Sequence, residues 1–168
     1  MKAISLWQPW ASWIAWRLKT VETRGHKRFA GLVGQRIALH AALRFDVTAL
    51  DEAAPYLRAI IADYQARQDH GRGYADLQVE LARRALRECS RLMLPMGRIV
   101  ATVFVEGHRA LTETDSPAAL CDCSPEAGMR YGLVLTEVRE VLPTTPFGRR
   151  RPGGRGIFSV EEEEVNLE

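Results

Sequence analysis

The sequence predicts an α+β fold in which helices surround a small mixed or antiparallel β-barrel. Segments with β-branched residues at their centres occur towards both ends of the chain and indicate about five strands. Between them, residues 46–95 show the apolar spacing of two helices, with a break at residues 70–73. The late strands follow one another without intervening helices, which argues against a parallel α/β sheet.

The length of the chain bounds the number of domains. Its 168 residues are enough for one ordinary hydrophobic core and too few for two comfortable ones. Hydrophobic residues make up 46% of the chain and charged residues 26%, which is typical of a packed globular domain. We therefore expect a single domain over residues 1–168, with a helical insert at about residues 46–95 and an acidic C-terminal tail at residues 161–168.

The strands and helices outside the insert follow from local patterns. KAISL has the alternation of a strand, and Pro9 suits the first turn of a short buried helix over Trp10–Leu18. From Thr20 to Arg24 the residue pattern changes from helical to extended spacing, so that Glu22 and Arg24 share one face. The remaining predicted strands are Arg36–Ala42, Arg98–Gly107, Arg130–Val141 and Gly156–Val160.

Charge is distributed unevenly along the chain. The net charge is +2, but five of the 21 acidic side chains lie in the tail 161–168. The first 160 residues therefore carry 23 basic against 16 acidic side chains, a balance of +7. Twenty of the 23 basic residues are arginine, which suits bidentate contacts with phosphate, although a compositional bias towards arginine explains the count equally well.

The cysteines and the hydropathy pattern indicate the compartment. Cys89, Cys121 and Cys123 form neither an even disulfide set nor a CxxC pair, so we expect reduced thiols in a cytoplasmic protein. A single residue separates Cys121 from Cys123 and no histidine is near, so neither a metal nor a cofactor is expected. The sequence has no export-type leader and no apolar run of membrane-spanning length, so no membrane partner is expected.

All four tryptophans lie near the N-terminus, each three residues after the last. Such steps turn each indole by about 300° on a helix, so the four fan over roughly half its circumference and cannot share one ligand. We expect Trp13 and Trp16 to pack in the core. Trp7 and Trp10 flank Gln8 at a strand-to-helix turn, and we expect them to stack on a base at the rim of a cleft.

The charged motif K-x-x-E-x-R follows the indoles at Lys19, Glu22 and Arg24. Two cations and an anion at this spacing can converge, with the cations holding a phosphate or polarising a carbonyl group. Glu22 can orient the lysine, accept a hydrogen bond from a base amino group, or act as a general base. The alternative is a surface cluster of ion pairs with little energetic value.

The order of several segments resembles the ASCH (activating-signal-cointegrator homology) family. These segments are SLWQPWA, the K-x-x-E-x-R motif, RIALHAA and GRIVATVFVEG. The resemblance is to a bacterial or phage-type member and covers residues 2–44 and 97–160, which leaves the helical hairpin as an insert. It implies a PUA-like β-barrel associated with RNA binding, and it assigns the family's lysine, glutamate and arginine to Lys19, Glu22 and Arg24.

Two positions depart from the family pattern. Arg17 stands where the motif usually has its leading glycine, so the local turn is expected to be the end of a helix. Glu22 stands where relatives that hydrolyse acylated cytidine nucleosides have their threonine, and neither Thr20 nor Thr23 can replace it from its own position. The resemblance therefore leaves that hydrolytic mechanism in doubt, whereas metal-free cleavage of RNA stays open.

Other candidate ligand contacts lie outside the motif. His40 and Arg44 share the strand face opposite Ile37 and Leu39, where they form a wall of the cleft or, for His40, a hydrogen-bonded structural position. An arginine-rich run near the C-terminus can track a phosphate backbone, or it can balance the acidic tail. Its members are Arg149, Arg150, Arg151 and Arg155. The sequence does not choose among further polar residues near strand ends, namely Glu106, Glu126 and Tyr131.

Three hypotheses follow. The one we adopt is an RNA- or nucleotide-binding domain that recognises nucleic acid in a basic cleft. The alternative is a hydrolase acting on RNA or on a modified nucleoside, with Lys19 and Glu22 as the acid/base pair. The third hypothesis makes the helical insert a docking surface for another protein. Packing of the insert on the barrel buries a set of leucines that docking would leave exposed, namely Leu77, Leu81, Leu86 and Leu92.

Overall fold

A computed structural model describes residues 1–66, 74–90, 92–141 and 157–160. Within these residues the protein is a mixed α+β structure with one six-stranded sheet and four α-helices. The strands are β1 (Lys2–Gln8), β2 (Val21–Arg24), β3 (Arg36–Phe45), β4 (Arg98–Ala110), β5 (Tyr131–Glu140) and β6 (Ile157–Ser159). The helices are α1 (Trp10–Ala15), α2 (Ala49–Ala66), α3 (Tyr74–Glu88) and α4 (Ser116–Ala119).

The strand order is β2-β5-β4-β3-β1-β6. Strands β1 and β3 are parallel, and the other neighbours are antiparallel. The predicted strands are present with small changes of length, and β2 adds a strand where the sequence predicted only an extended segment. The predicted break at residues 70–73, the arginine-rich run and the acidic tail lie outside the described residues.

The predicted barrel is wrong, because the sheet does not close. Strand β2 pairs with β5 and β6 pairs with β1, and no ladder joins β2 to β6 within the described ranges. Both edge strands are short, with four and three residues. Helix α1 packs on the sheet instead, and its apolar side chains complete the main core with residues of the central strands.

The helical insert packs on α1 through Trp13. This side chain is fully buried among residues of α2 and α3, including Leu57, Ala82 and Ala85. The four leucines that distinguish packing of the insert from docking of another protein divide into two pairs. Leu81 and Leu86 pack against this cluster, whereas Leu77 is 50% exposed and Leu92 is 96% exposed.

None of the described helices is long and apolar enough to cross a membrane.

Helix α1 ends at Ala15 and the chain turns at Arg17, where the sequence predicted the end of a helix from the missing glycine. Arg17 has φ +59°, in the left-handed region that favours glycine. The Arg17 N–H bonds the Ile14 carbonyl and the Leu18 N–H bonds the Trp13 carbonyl, which is a Schellman end. The Arg17 guanidinium also donates a hydrogen bond of 2.8 Å to the Val138 carbonyl of β5.

This geometry predicts different effects of two substitutions at Arg17. Arg17→Ala loses the hydrogen bond to β5 and keeps the backbone strain, so we expect a loss of about 1 kcal/mol of unfolding free energy. Arg17→Gly loses the same bond but relieves about 1 kcal/mol of left-handed strain, so it should lie close to the wild type. Urea unfolding measures both. Equal destabilisation by alanine and glycine would contradict the assignment of strain.

Candidate nucleic-acid site

A hollow of about 220 Å³ lies where the end of β1, the start of α1 and strand β2 meet. We call it the indole pocket. It is lined by Leu6, Trp7, Trp10, Glu22, Thr23 and Arg24. Because β1 leads directly into α1 and α1 is followed closely by β2, one short stretch of sequence supplies all of these residues. Four of the residues predicted to bind nucleic acid thus share one cavity.

The two indoles of the pocket are held differently. Trp7 is 43% exposed, and the Arg44 guanidinium carbon lies 3.7 Å from the centre of its ring. Trp10 is half-buried, and its indole N–H donates a hydrogen bond of 3.1 Å to the Asp46 carboxylate. Its ring also meets the buried Trp13 edge to face at 5.0 Å. Trp10 is therefore fixed, whereas Trp7 offers a solvent-accessible ring beside a cation.

Asp46 anchors Trp10 as a charged acceptor. Burial by itself raises the pKa of Asp46, but the hydrogen bonds from Thr48 and Trp10, together with Arg44, outweigh burial and leave the pKa lowered. The carboxylate consequently stays ionised at neutral pH. The Asp46 carboxylate also accepts from the Thr48 backbone just before α2, so it joins the pocket to the helical insert.

Glu22 and Arg24 form the polar part of the lining. Glu22 Oε1 lies 3.2 Å from Arg24 Nη2, and the exposed fractions of the two side chains are 7% and 25%. The Arg24 guanidinium also lies 4.9 Å from the centre of the Phe29 ring. The contact with Glu22 is an ion pair without hydrogen-bond geometry. Arg24 Nε and Nη2 are therefore buried donors with no hydrogen-bond partner among the described residues. Such donors are costly to leave unpaired, and they favour a ligand that supplies an acceptor.

Lys19 lies behind the pocket and is not among its lining residues. Its side chain is 1% exposed, and the ammonium donates a hydrogen bond to the Ala119 carbonyl. The ammonium nitrogen also lies 5.0 Å from the Trp10 ring centre. Burial lowers the pKa of Lys19, and the negative charge of Glu22 opposes this shift. Lys19 thus supports Trp10 from below and has no direct opening to the hollow.

Two predicted contacts lie away from the lining. Gln8 is fully buried, and its amide group bonds Ser12 and the Pro95 carbonyl, so it holds the start of α1. His40 projects to the other face of the sheet. There its ring nitrogen lies 3.0 Å from the Ser5 hydroxyl and its ring meets Phe158 edge-on. The predicted contacts at Arg149, Arg150, Arg151 and Arg155 fall outside the described residues.

Sequence reasoning missed two lining residues, Leu6 and Thr23, and two residues that hold the lining in place. Thr23 lines the pocket although strand alternation assigned it to the opposite face. Phe29 supports Arg24 from a loop that carries no pattern pointing to it. Asp46 was detectable in principle, because aspartate side chains often accept a hydrogen bond from the backbone N–H two residues on, as Asp46 does from Thr48 just before α2.

Comparisons with known proteins give structural matches alone. No family model and no curated protein matches the chain. The chain is similar to a solved ASCH structure from Zymomonas mobilis, with 14% identity and a TM-score of 0.49 over 97% of this chain and 89% of that one. Two variants of that protein give 15% and 13% identity, each with a TM-score of 0.47 over 97% of this chain and 89% and 91% of theirs. These similarities concern the fold alone.

Proposed function

We propose that the protein binds RNA or a nucleotide in the indole pocket. The observation that carries this proposal is the pairing of two indoles with a half-buried arginine, Arg24, whose buried Nε and Nη2 have no hydrogen-bond partner among the described residues. An aromatic face binds a base by stacking, and a guanidinium with unused donors binds a phosphate or a base acceptor. The two elements together are complementary to a nucleotide.

The remaining lining adds selectivity to this proposal. The Glu22 side chain is only 7% exposed. A glutamate side chain can accept hydrogen bonds from base amino groups. Arg44 lies over Trp7 at the rim, where its charge favours a phosphate. The sequence resemblance to a family associated with RNA binding, and the basic balance of the first 160 residues, support the same class of ligand.

Fluorescence polarisation of a labelled single-stranded RNA hexamer of random sequence tests the proposal. We expect saturable binding that weakens as salt rises and is accompanied by a change in tryptophan fluorescence, because the ligand stacks on the indoles. Inorganic polyphosphate serves as the control for charge alone. Absence of saturable RNA binding, or equal displacement by polyphosphate without any fluorescence change, would overturn the proposal.

Hydrolysis of RNA or of an acylated nucleoside is the second candidate, and one observation favours it. Burial lowers the pKa of Lys19, which brings its neutral, proton-accepting form closer to neutral pH. Against this, the lysine ammonium bonds a backbone carbonyl and lies outside the lining. Catalysis would therefore require Lys19 to leave the Ala119 carbonyl and reach past Trp10.

Lys19→Met separates the two candidates, because methionine keeps the volume of the side chain and removes its charge. If the protein only binds RNA, we expect RNA affinity to change by less than about threefold and no turnover by the wild type. A hydrolase would show wild-type turnover of the random RNA or of N-acylated cytidine, with or without Mg²⁺, that Lys19→Met abolishes. Product analysis by chromatography distinguishes these results.

The same variant tests the burial of the Lys19 charge. Because the folded-state pKa lies below its ordinary value of 10.5, the unfolded chain binds more protons between these two pKa values. Wild-type stability should therefore rise with pH in that window relative to Lys19→Met. Urea unfolding of both proteins at pH 7 and pH 9.5 measures the difference. A gap that stays constant would show that the pKa is not lowered into this pH range.

A further inference from the structure

We propose that a second nucleotide subsite, formed by Tyr131, His108 and Lys27, lies beside the indole pocket. The ligand would then be a single-stranded RNA chain of at least two nucleotides rather than a free nucleotide. This inference rests on the proposed function and names the form of its ligand. We call these three residues the tyrosine subsite.

The pairing of strands places the tyrosine subsite next to the pocket. In the β2–β5 ladder the Cα of Arg24 lies directly opposite that of Tyr131. Directly opposed residues of an antiparallel pair project from the same face with Cβ atoms about 5 Å apart. In the β4–β5 ladder His108 is opposite Leu133, two residues from Tyr131, so all three side chains share that face. The face that carries Arg24 into the pocket therefore continues onto Tyr131 and His108.

The rings of the tyrosine subsite form a ready stacking platform. The Tyr131 and His108 rings are nearly parallel, at 8°, with centres 5.9 Å apart, and both side chains are half-buried. The Tyr131 hydroxyl donates to the Met129 sulfur, a weak acceptor that a ligand oxygen would readily replace. His108 Nε2 is buried and has no hydrogen-bond partner within the described part of the chain. Stacked rings with an unused polar atom suit a base.

Positive charge surrounds this platform. The exposed Lys27 places its ammonium 5.2 Å from the centre of the Tyr131 ring. A base that stacks on this ring would displace the long Lys27 side chain, whose ammonium can then turn to a phosphate. His26 and Arg28 flank Lys27 in the same loop, which contains no acidic residue. The loop is thus complementary to a phosphate backbone.

Arg24 connects the two subsites. Its guanidinium lines the indole pocket, while its Cα adjoins Tyr131 across the ladder. Two bases stacked on Trp10 and on Tyr131 would place their connecting phosphate between them, next to Arg24 Nε and Nη2, for which the described residues supply no hydrogen-bond acceptor. A mononucleotide can fill one subsite, and a dinucleotide can fill both, with Arg24 on the shared phosphate.

Competition against the labelled RNA hexamer tests this inference. The competitors are a pool of ribonucleoside 5′-monophosphates and a pool of 5′-phosphorylated dinucleotides. For the wild type we expect the dinucleotides to compete about tenfold better, as one added base stack implies. Tyr131→Ala should remove this advantage, and mononucleotides should still compete through the indole pocket. Tyr131→Phe keeps the ring and should retain the advantage, and Tyr64→Ala on α2 is the matched control for the loss of a tyrosine.

The outcomes separate failure of the subsite from failure of the proposed function. If the wild type shows neither RNA binding nor competition, the proposed function itself is wrong. Mononucleotide competition with a dinucleotide advantage that persists in Tyr131→Ala would overturn the tyrosine subsite alone. Should Tyr131→Ala unfold, Lys27→Gln gives the same test. It should reduce the advantage about threefold, whereas Lys2→Gln, on β1 at the far side of the sheet, should leave it intact.

Discussion

Replacing Arg24 with methionine is expected to lower the affinity for single-stranded RNA about 100-fold. Hydrogen bonds to charged groups contribute about 1.5–3 kcal/mol each, and a loss near 3 kcal/mol corresponds to roughly two orders of magnitude. Arg24 Nε and Nη2 have no hydrogen-bond partner among the described residues, so we expect the ligand to supply their acceptors. Methionine keeps much of the apolar length that packs on Phe29, which limits the structural disturbance.

Two control variants identify the cause of that loss. Arg58→Met removes the same charge from an exposed position on α2, and we expect it to change RNA affinity by about twofold or less. Arg24→Lys keeps the charge but not the planar fork, and should give an intermediate affinity. Polarisation titrations compare the three, and urea unfolding confirms that each variant folds. Equal losses in Arg24→Met and Arg58→Met would mean that binding is diffuse electrostatic attraction and not recognition in the pocket.

The grouping of residues in the candidate site could be predicted from sequence because its parts are local. Trp7, Trp10, Glu22 and Arg24 lie on a strand, a short helix and a second strand that follow one another with short connections. A strand-to-helix turn and a return to extended structure fix their relative directions with little help from the rest of the chain. Patterns of this kind are visible in one sequence, and here four residues chosen from them share one hollow.

The depth of Lys19 could not be predicted in the same way. Its hydrogen-bond acceptor is the carbonyl of Ala119, a hundred residues further along the chain. Whether a lysine after a helix faces solvent or is covered depends on which distant segment packs over it. The same holds for Gln8, whose amide bonds the Pro95 carbonyl on the far side of the helical insert. Spacing along the chain contains no information about either partner.

The fold shows a similar division between local and non-local information. The strands follow from β-branched segments and the insert from apolar helical spacing, and both are local properties. Closure of a barrel depends on whether the first and last strands of the sheet meet, which is a non-local property. Here α1 places Ala11, Ile14 and Ala15 in the main core, so the apolar face of the sheet is covered without closure.

Gly132→Ala is expected to destabilise the protein by about 2 kcal/mol, within the usual range for overpacking. A Cβ atom at Gly132 would lie 2.4 Å from a terminal carbon of Leu111 and 2.7 Å from Val21 Cγ1. The end of the half-buried Leu111 side chain can move aside. Val21 cannot move aside, because its side chain is buried and β-branched and its backbone is paired with β5. The strain therefore falls on β2, the strand that carries Glu22 and Arg24, and RNA affinity should fall together with stability.

Gly107→Ala is the matched control for this substitution, since the nearest atom to its added Cβ would be in ordinary contact at 3.9 Å. We expect it to change the unfolding free energy by less than about 0.5 kcal/mol. Shortening the obstructing side chain supplies the converse test. The double variant Val21→Ala with Gly132→Ala should lose less unfolding free energy than the two single variants lose in sum. The reason is that the cavity left by Val21→Ala accepts the methyl group added by Gly132→Ala. Urea unfolding of the four variants decides the matter, and strict additivity would show that β2 is not held against Gly132 as the structure places it.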